Sequence, residues 1–183
     1  MNSNLSVSPS IKTSVLAYAG LSSLYLGLLF SPEYGGMAVL KVAPIALLFC
    51  LSQQHFQGTN RLVLSLALVF SGLGDALLTL SEGWAFPAGL GSFLVAQLFY
   101  AGLFLRSPIF QNKRLIVAIA LIIHALYFAR VLLPEAGELA PAIIAYASAI
   151  ALMGLAAVFY KYNYWVLLGA LTFIVSDTLI GFN

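Results

Sequence analysis

The chain is an almost unbroken series of apolar stretches, each close to the ~20 residues a helix needs to cross the hydrocarbon of a bilayer. Cutting it where charges, Pro/Gly clusters and polar runs fall gives seven: Thr13–Phe30, Gly36–Leu51, Arg61–Leu80, Phe86–Leu105, Leu115–Leu133, Leu139–Tyr160 and Tyr164–Phe182. Only 8% of the 183 residues are charged and 62% are hydrophobic, whereas soluble domains average roughly 25% charged residues. So few charges cannot cover the surface of a soluble globule, which argues against a soluble enzyme. Disorder needs low hydrophobicity and high net charge and is excluded. Strands of a closed barrel alternate apolar and polar residues, but these runs are apolar on all sides. The expectation is an all-α, polytopic membrane helix bundle with seven transmembrane helices. It forms one transmembrane domain over residues 1–183, with residues 1–12 as a cytoplasmic tail and Met1–Ser10 loose.

The first run raises the question of a cleaved signal peptide. Lys12 precedes it, and Ala17-Tyr18-Ala19 looks like a cleavage triplet. The triplet comes before any adequate apolar core, so the run reads as a retained helix. Charge then sets orientation. Lys12, Arg61, Arg106, Lys113, Arg114 and Lys161 fall on the side of the N-terminus; Lys41 and Arg130, the other two of eight cations, fall opposite. The positive-inside rule places the N-terminus in the cytoplasm. In a bacterium the membrane would be the inner one. Glu33, Glu82, Glu135 and Glu138 lie in the opposite loops. Trp84 at one boundary, and Tyr160, Tyr162, Tyr164 and Trp165 at the other, read as interfacial belts. A net charge of +2 gives no sign of a nucleic-acid partner. One cysteine, Cys50, permits no intrachain disulfide.

With the loop glutamates set aside, Asp75 and Asp177 remain, both inside apolar runs. An ionisable group at mid-membrane costs roughly 2.5–3.5 kcal/mol on insertion scales and is by default a candidate for function. Asp75 lies 14 residues after Arg61 and Asp177 lies 14 after Asn163. At 1.5 Å per residue, both sit roughly 21 Å from the cytoplasmic start of their helices. Lys41, Ser92, Tyr127, Tyr146 and Ser176 fall near that level, and Gln97 and His124 somewhat deeper. Lys41, Ser92, Gln97, Tyr127, Tyr146 and Ser176 are therefore the candidate substrate-binding residues around a catalytic pair, Asp75 and Asp177. The plainer alternative is a packing role. Lys41–Asp75 could be a structural ion pair, and Gln97 and His124 hydrogen-bonded core residues. Gly72, Gly74 and Gly154 suit close helix packing. Two acids at one depth with a single nearby cation are harder to explain as packing. Two carboxylates in low dielectric can divide the roles of proton donor and anion, which general acid–base chemistry requires. One cysteine and two separated histidines give no zinc spacing, so no metal and no cofactor is expected.

Two strings repeat. Ser71-Gly-Leu-Gly-Asp75-Ala-Leu-Leu78 and Ile174-Val-Ser-Asp177-Thr-Leu-Ile180 lie 102 residues apart, from 75 to 177, which is four helices. A parallel repeat follows, as in some transporters, and an eighth helix is expected after Asn183 to complete it.

Several stretches, in order, resemble the YhhN (lysoplasmalogenase) family of multi-pass membrane proteins. Lys41-Val-Ala-Pro44 resembles its Lys-Pro opening of helix two, with two residues inserted. Gly74-Asp75-Ala-Leu-Leu78 matches its first acidic motif. Phe86-Pro-Ala-Gly-Leu-Gly-Ser-Phe-Leu-Val-Ala-Gln97-Leu-Phe-Tyr100 is similar to its next helix, where the family commonly has His at the place of Gln97. Pro141 to Tyr146 resembles the start of helix six, and Gly169-Ala-Leu-Thr-Phe-Ile-Val-Ser176-Asp177 its second acidic motif. The resemblance covers roughly Lys41 to Asn183. It implies eight helices and hydrolysis of the vinyl ether of a lysophospholipid substrate, the lysoplasmalogens, to a fatty aldehyde and a glycerophospho-base. Asp75 and Asp177 fall on the family's acidic positions.

Vinyl ethers hydrolyse by proton transfer to carbon, so a placed acid and an anion near the developing cation are needed, as in glycosidases. Two other functions use the same residues. Gly72-Leu73-Gly74-Asp75 is similar to the Gly-x-Gly-Asp motif of intramembrane aspartyl proteases, but it precedes the second Asp, and the Tyr-Asp and Pro-Ala-Leu signatures are absent. A proton-coupled carrier would also use two acids within a repeat-built bundle. A retinal-binding protein is disfavoured because helix seven has no lysine.

Overall fold

The computed structural model describes residues 9–28, 37–161 and 164–181. Seven helices follow one another: α1 (Pro9–Leu28), α2 (Met37–His55), α3 (Gly58–Leu77), α4 (Ala85–Phe104), α5 (Asn112–Leu132), α6 (Ala140–Val158) and α7 (Tyr164–Gly181). Every one coincides with an expected apolar run to within a few residues. No strand occurs among the described residues beyond an isolated bridge, Pro108 to Tyr160. α1 begins at Pro9, inside the stretch expected as a loose tail, and takes in Lys12. Residues 1–8, Glu33, Tyr162 and Asn163 lie outside the described residues.

Four stretches are long and apolar enough to cross a membrane: Gly58–Leu77, Ala85–Phe104, Asn112–Glu135 and Gly137–Val158. Tyr164–Thr178 is a shorter apolar helix. The protein is thus an all-helical integral membrane protein. Its seven helices stand where seven spans were expected, but length and composition support four crossings among the described residues. α1 opens with Ser10, Lys12, Thr13 and Ser14, and α2 closes on Ser52-Gln53-Gln54-His55, so both dilute their apolar centres with polar ends.

α4 and α6 form the middle of the bundle. α4 packs on α3 and α6; α6 packs on α4, α5 and α7; α2 covers α3, and α1 covers α2. Without an aqueous drive between helices in lipid, close approach depends on small residues, and the core is accordingly rich in alanine. Ala67, Ala85, Ala96, Ala101, Ala156 and Ala157 are all almost wholly buried. Gly74 lets α4 approach so closely that a Cβ there would meet the Phe93 ring at 2.7 Å. Gly154 does the same for α7, whose Ile174 would stand 2.8 Å from a Cβ. α5 has a wide apolar outer face, with Ile116, Ile119, Ile123 and Leu126 exposed. Water would not tolerate such a face, but lipid would.

The ends are built differently. Gly58 takes φ +58° where the chain turns from α2 into α3, a conformation costly for residues with a Cβ. At the end holding the α4–α5 and α6–α7 connections, Ile109 N–H donates to the Phe159 carbonyl at 2.6 Å and Lys161 N–H to the Ser107 carbonyl at 3.0 Å. Arg114 donates to the carbonyls of Val158 (2.8 Å) and Tyr160 (2.6 Å), where α6 leaves carbonyls without helical partners. Its guanidinium lies 5.3 Å from the Tyr164 ring centroid. Trp84, Tyr164 and Trp165 lie exposed near helix ends, as interfacial belts require.

Candidate active site

Asp75 lies in the last turn of α3 and Asp177 near the end of α7. α4 and α6 bring the two ends together. Phe93 of α4 meets Phe173 of α7 edge-on, centroids 5.9 Å apart at 72°, and Phe173 is one turn before Asp177. The same Phe93 sits against Gly74, next to Asp75. One aromatic ring therefore wedges the acid-bearing segments of α3 and α7 to a common centre. The two carboxylates lie near enough to feel one another's charge.

Their partners differ. Lys41, one turn into α2, places Nζ 3.1 Å from Asp75 Oδ1, and both side chains remain about one-fifth exposed (20% and 22%). Pro44 removes one helical hydrogen bond from α2 within a turn of this lysine. Among the described residues no cation pairs with Asp177. It accepts a hydrogen bond at Oδ2 from the Tyr146 hydroxyl of α6. Asp75 is also within electrostatic reach of Tyr146. The ion pair foreseen as a packing possibility thus exists, but it engages only one of the two acids.

Gln97 is the third element. It is wholly buried, 0% exposed, and among the described residues neither its Nε2 nor its Oε1 has a hydrogen-bond partner. Its amide lies beside the Tyr146 hydroxyl without completing a bond to it. Buried amides are nearly always paired, so an unpaired one calls for an explanation such as a water or ligand at the site. Ser71 Oγ, one helical turn before Asp75, is likewise buried and completes no hydrogen bond among the described residues, though the Tyr100 hydroxyl lies beside it.

The remaining expected residues divide. Ser92 donates to the Phe70 carbonyl at 2.7 Å and so fastens α4 to α3 instead of facing the acids. Tyr127 is 62% exposed on the outer face of α5. Ser176 is exposed beside Asp177. Lys41, Gln97 and Tyr146 are brought to the acids; Ser92, Tyr127 and Ser176 are not. Two residues that the sequence did not draw into the site stand at Asp177 instead. His124 Nε2 lies 3.0 Å from Thr178 Oγ1, and both line a small void with Tyr146 and Asp177. Thr178 adjoins Asp177, but His124 is on another helix, and no local spacing points to it.

One void borders Asp177, and a second opening lies at the α2–α3 pair. The void at Asp177, about 30 Å³, lies among α5, α6 and α7. A wider apolar groove of about 340 Å³ runs between α2 and α3, lined by Val42, Ile45, Phe49, Leu68, Gly72 and Leu73 among others. Its lining residues Val42 and Leu73 are close in sequence to Lys41 and Asp75, which are not themselves part of its wall. Among the described residues no three His, Cys, Asp or Glu side chains gather into a metal-binding group. Chemically, the site offers an ion-paired carboxylate, a second carboxyl hydrogen-bonded to a phenol, an unpaired amide and an apolar groove.

No curated protein and no solved structure matches the chain. The YhhN family profile matches residues 36–183. That span holds both acids, Lys41 and every helix from α2 to α7, and over it the chain belongs to the YhhN family.

Proposed function

We propose that the protein is a membrane hydrolase that cleaves the vinyl ether bond of lysoplasmalogen-type lipids, releasing a fatty aldehyde and a glycerophospho-base. The observation that carries this reading is the inequality of two neighbouring carboxyl groups. Asp75 is held by a lysine at 3.1 Å; Asp177 is held by a neutral phenol. An ammonium partner favours the anion, and a like charge nearby favours the protonated acid. Asp177 is then the proton donor and Asp75 the anion that stabilises the developing cation.

The chemistry follows. Asp177 delivers its proton to the vinyl carbon remote from the ether oxygen. The positive charge left on the adjoining carbon and oxygen faces the Asp75 carboxylate. Water adds to that carbon, and the hemiacetal collapses to aldehyde and alcohol. Tyr146 orients Asp177, and Gln97 offers a donor and an acceptor to a polar group of the lipid. The groove between α2 and α3 receives the alkyl chain, and Lys41, next in sequence to its lining residue Val42, is the cation that would meet a lipid phosphate. All seven helices cross the membrane in this reading, and the N-terminus is cytoplasmic, so the acids lie in the outer half of the bilayer.

The test is mass spectrometry of products after incubation of the purified protein with a lysoplasmalogen and with its saturated ether analogue. The expected result is aldehyde from the first only. Cleavage of both, or of neither, contradicts vinyl-ether chemistry.

A further inference from the structure

The mechanism above leaves two things without a residue: a place for the attacking water and a group to take its proton. The void beside Asp177 offers both. Its volume is about 30 Å³, and roughly 10–15 Å³ by this measure holds one water, provided two to four polar partners are present. The polar side chains on its wall are His124 of α5, Tyr146 of α6, and Asp177 and Thr178 of α7. The other lining side chains are apolar, Leu121, Phe128 and Ile150 among them. His124, Tyr146 and Asp177 are the titratable groups on the wall.

The hydrogen bonds around Thr178 decide the form of His124. A threonine hydroxyl has one proton. Thr178 Oγ1 gives it to the Ile174 carbonyl at 2.7 Å, within its own helix. Toward His124 Nε2, 3.0 Å away, the same oxygen can only accept. With that proton held by the carbonyl, the ring hydrogen lies on Nε2, and in the neutral ring Nδ1 carries the lone pair. The ring plane is held by stacking on Phe128, centroids 6.3 Å apart and 16° between planes.

The geometry points to His124 as the base that takes a proton from the attacking water in the void, and as the relay that returns it to Asp177. This rests on the hydrolase reading above. The steps balance. Asp177 gives its proton to the vinyl carbon and becomes a carboxylate. The water oxygen bonds to the cationic carbon, and one water proton passes to His124 Nδ1. The hemiacetal breaks its bond to the glycerol oxygen, its hydroxyl proton being replaced by one on the departing alcohol. The imidazolium then returns its proton to the Asp177 carboxylate through the void. Enzyme groups end as they began, and one water has been consumed.

Two measurements test this. In the first, aldehyde release by His124→Ala and His124→Asn is compared with wild type, with and without added imidazole or pyrazole. These compounds have the same ring size, but pyrazole is far the weaker base. Both variants should lose about 10²-fold in kcat, the scale of one acid–base group, with an unchanged melting temperature. Imidazole but not pyrazole should restore His124→Ala. Near-wild-type rates in either variant, equal rescue by both compounds, or rescue by neither would overturn the assignment. If wild type releases aldehyde and Asp177→Asn does not, while His124→Ala does, the hydrolase reading stands and the relay falls. In the second, nitrogen NMR of the histidine-labelled protein in detergent should show His124 with the proton on Nε2. A proton on Nδ1 would contradict the relay whatever the substrate.

Discussion

At the scale of single residues, the two aspartates matter less by their presence than by what holds each one. Tyr146 holds Asp177 by a hydroxyl that also lies beside the Gln97 amide. Tyr146→Phe leaves the ring in its buried place and removes only that donor. Aldehyde release should fall roughly 10- to 100-fold, the equivalent of about 1.4–2.7 kcal/mol, with KM little changed; rates within threefold of wild type would show that Asp177 needs no positioning. Gln97 makes a sharper case, because stability and function should move in opposite directions. An unpaired buried polar group costs about 1–3 kcal/mol, so Gln97→Leu should raise the melting temperature in detergent. If the amide serves the lipid, the same change should lower aldehyde release at least tenfold. A variant that is more stable and fully active would make Gln97 a bystander.

Much of this is legible in the sequence, and the rest is hidden for a physical reason. Depth can be read from a sequence, because a helix rises 1.5 Å per residue. That count sets Asp75, Asp177 and Lys41 near one level, and Lys41 does reach Asp75. Direction around the helix axis cannot be read so easily when a helix is apolar on every side. Ser176 is one residue from Asp177 and therefore about 100° around the axis; it is exposed, as is Tyr127 on α5. Ser92 is buried, but against the Phe70 carbonyl. The pairing of Tyr146 with Asp177 and of His124 with Thr178 crosses from one helix to another, where only packing decides which faces meet.

At the scale of elements, the site depends on how closely α3 and α4 approach. α3 carries Asp75 directly after Gly74, and the missing side chain of Gly74 is the space that Phe93 fills. Phe93 in turn meets Phe173 of α7. Gly74→Ala would set a methyl 2.7 Å from that ring, closer than two carbons can stand. Overpacking of this kind costs about 1–3 kcal/mol. The expected outcome is a lower melting temperature together with a loss of aldehyde release, because Phe93 must shift and both acids move with it. Gly91→Ala in α4, where a Cβ would meet nothing within 4 Å, is the control and should leave both measurements near wild type. If Gly74→Ala kept wild-type stability and activity, Phe93 would not be the wedge that sets the spacing of the acids.

At the scale of the whole molecule, the site is a composite. Lys41 comes from α2, Asp75 from α3, Gln97 from α4, Tyr146 from α6 and Asp177 from α7. No pair of adjacent helices contains it, so the chemistry needs the assembled bundle. The family match over residues 36–183 spans all five contributors, whereas α1 stands outside both the match and the site and touches α2. The end opposite the acids is tied by Arg114 to the carbonyls of Val158, which ends α6, and Tyr160 just beyond it, which holds the α4–α5 and α6–α7 connections together. The central claim is that the two carboxyls act as a unit, one giving a proton and the other facing the charge this creates. Groups that act as a unit are not additive when removed. The measurement is aldehyde release from a lysoplasmalogen by Asp75→Asn, Asp177→Asn and the double variant, each with its melting temperature. The account predicts a fall of at least about 10²-fold in each single variant, with the double variant no slower than the slower single. Single variants that keep near-wild-type rates, or losses that multiply in the double variant, would contradict it.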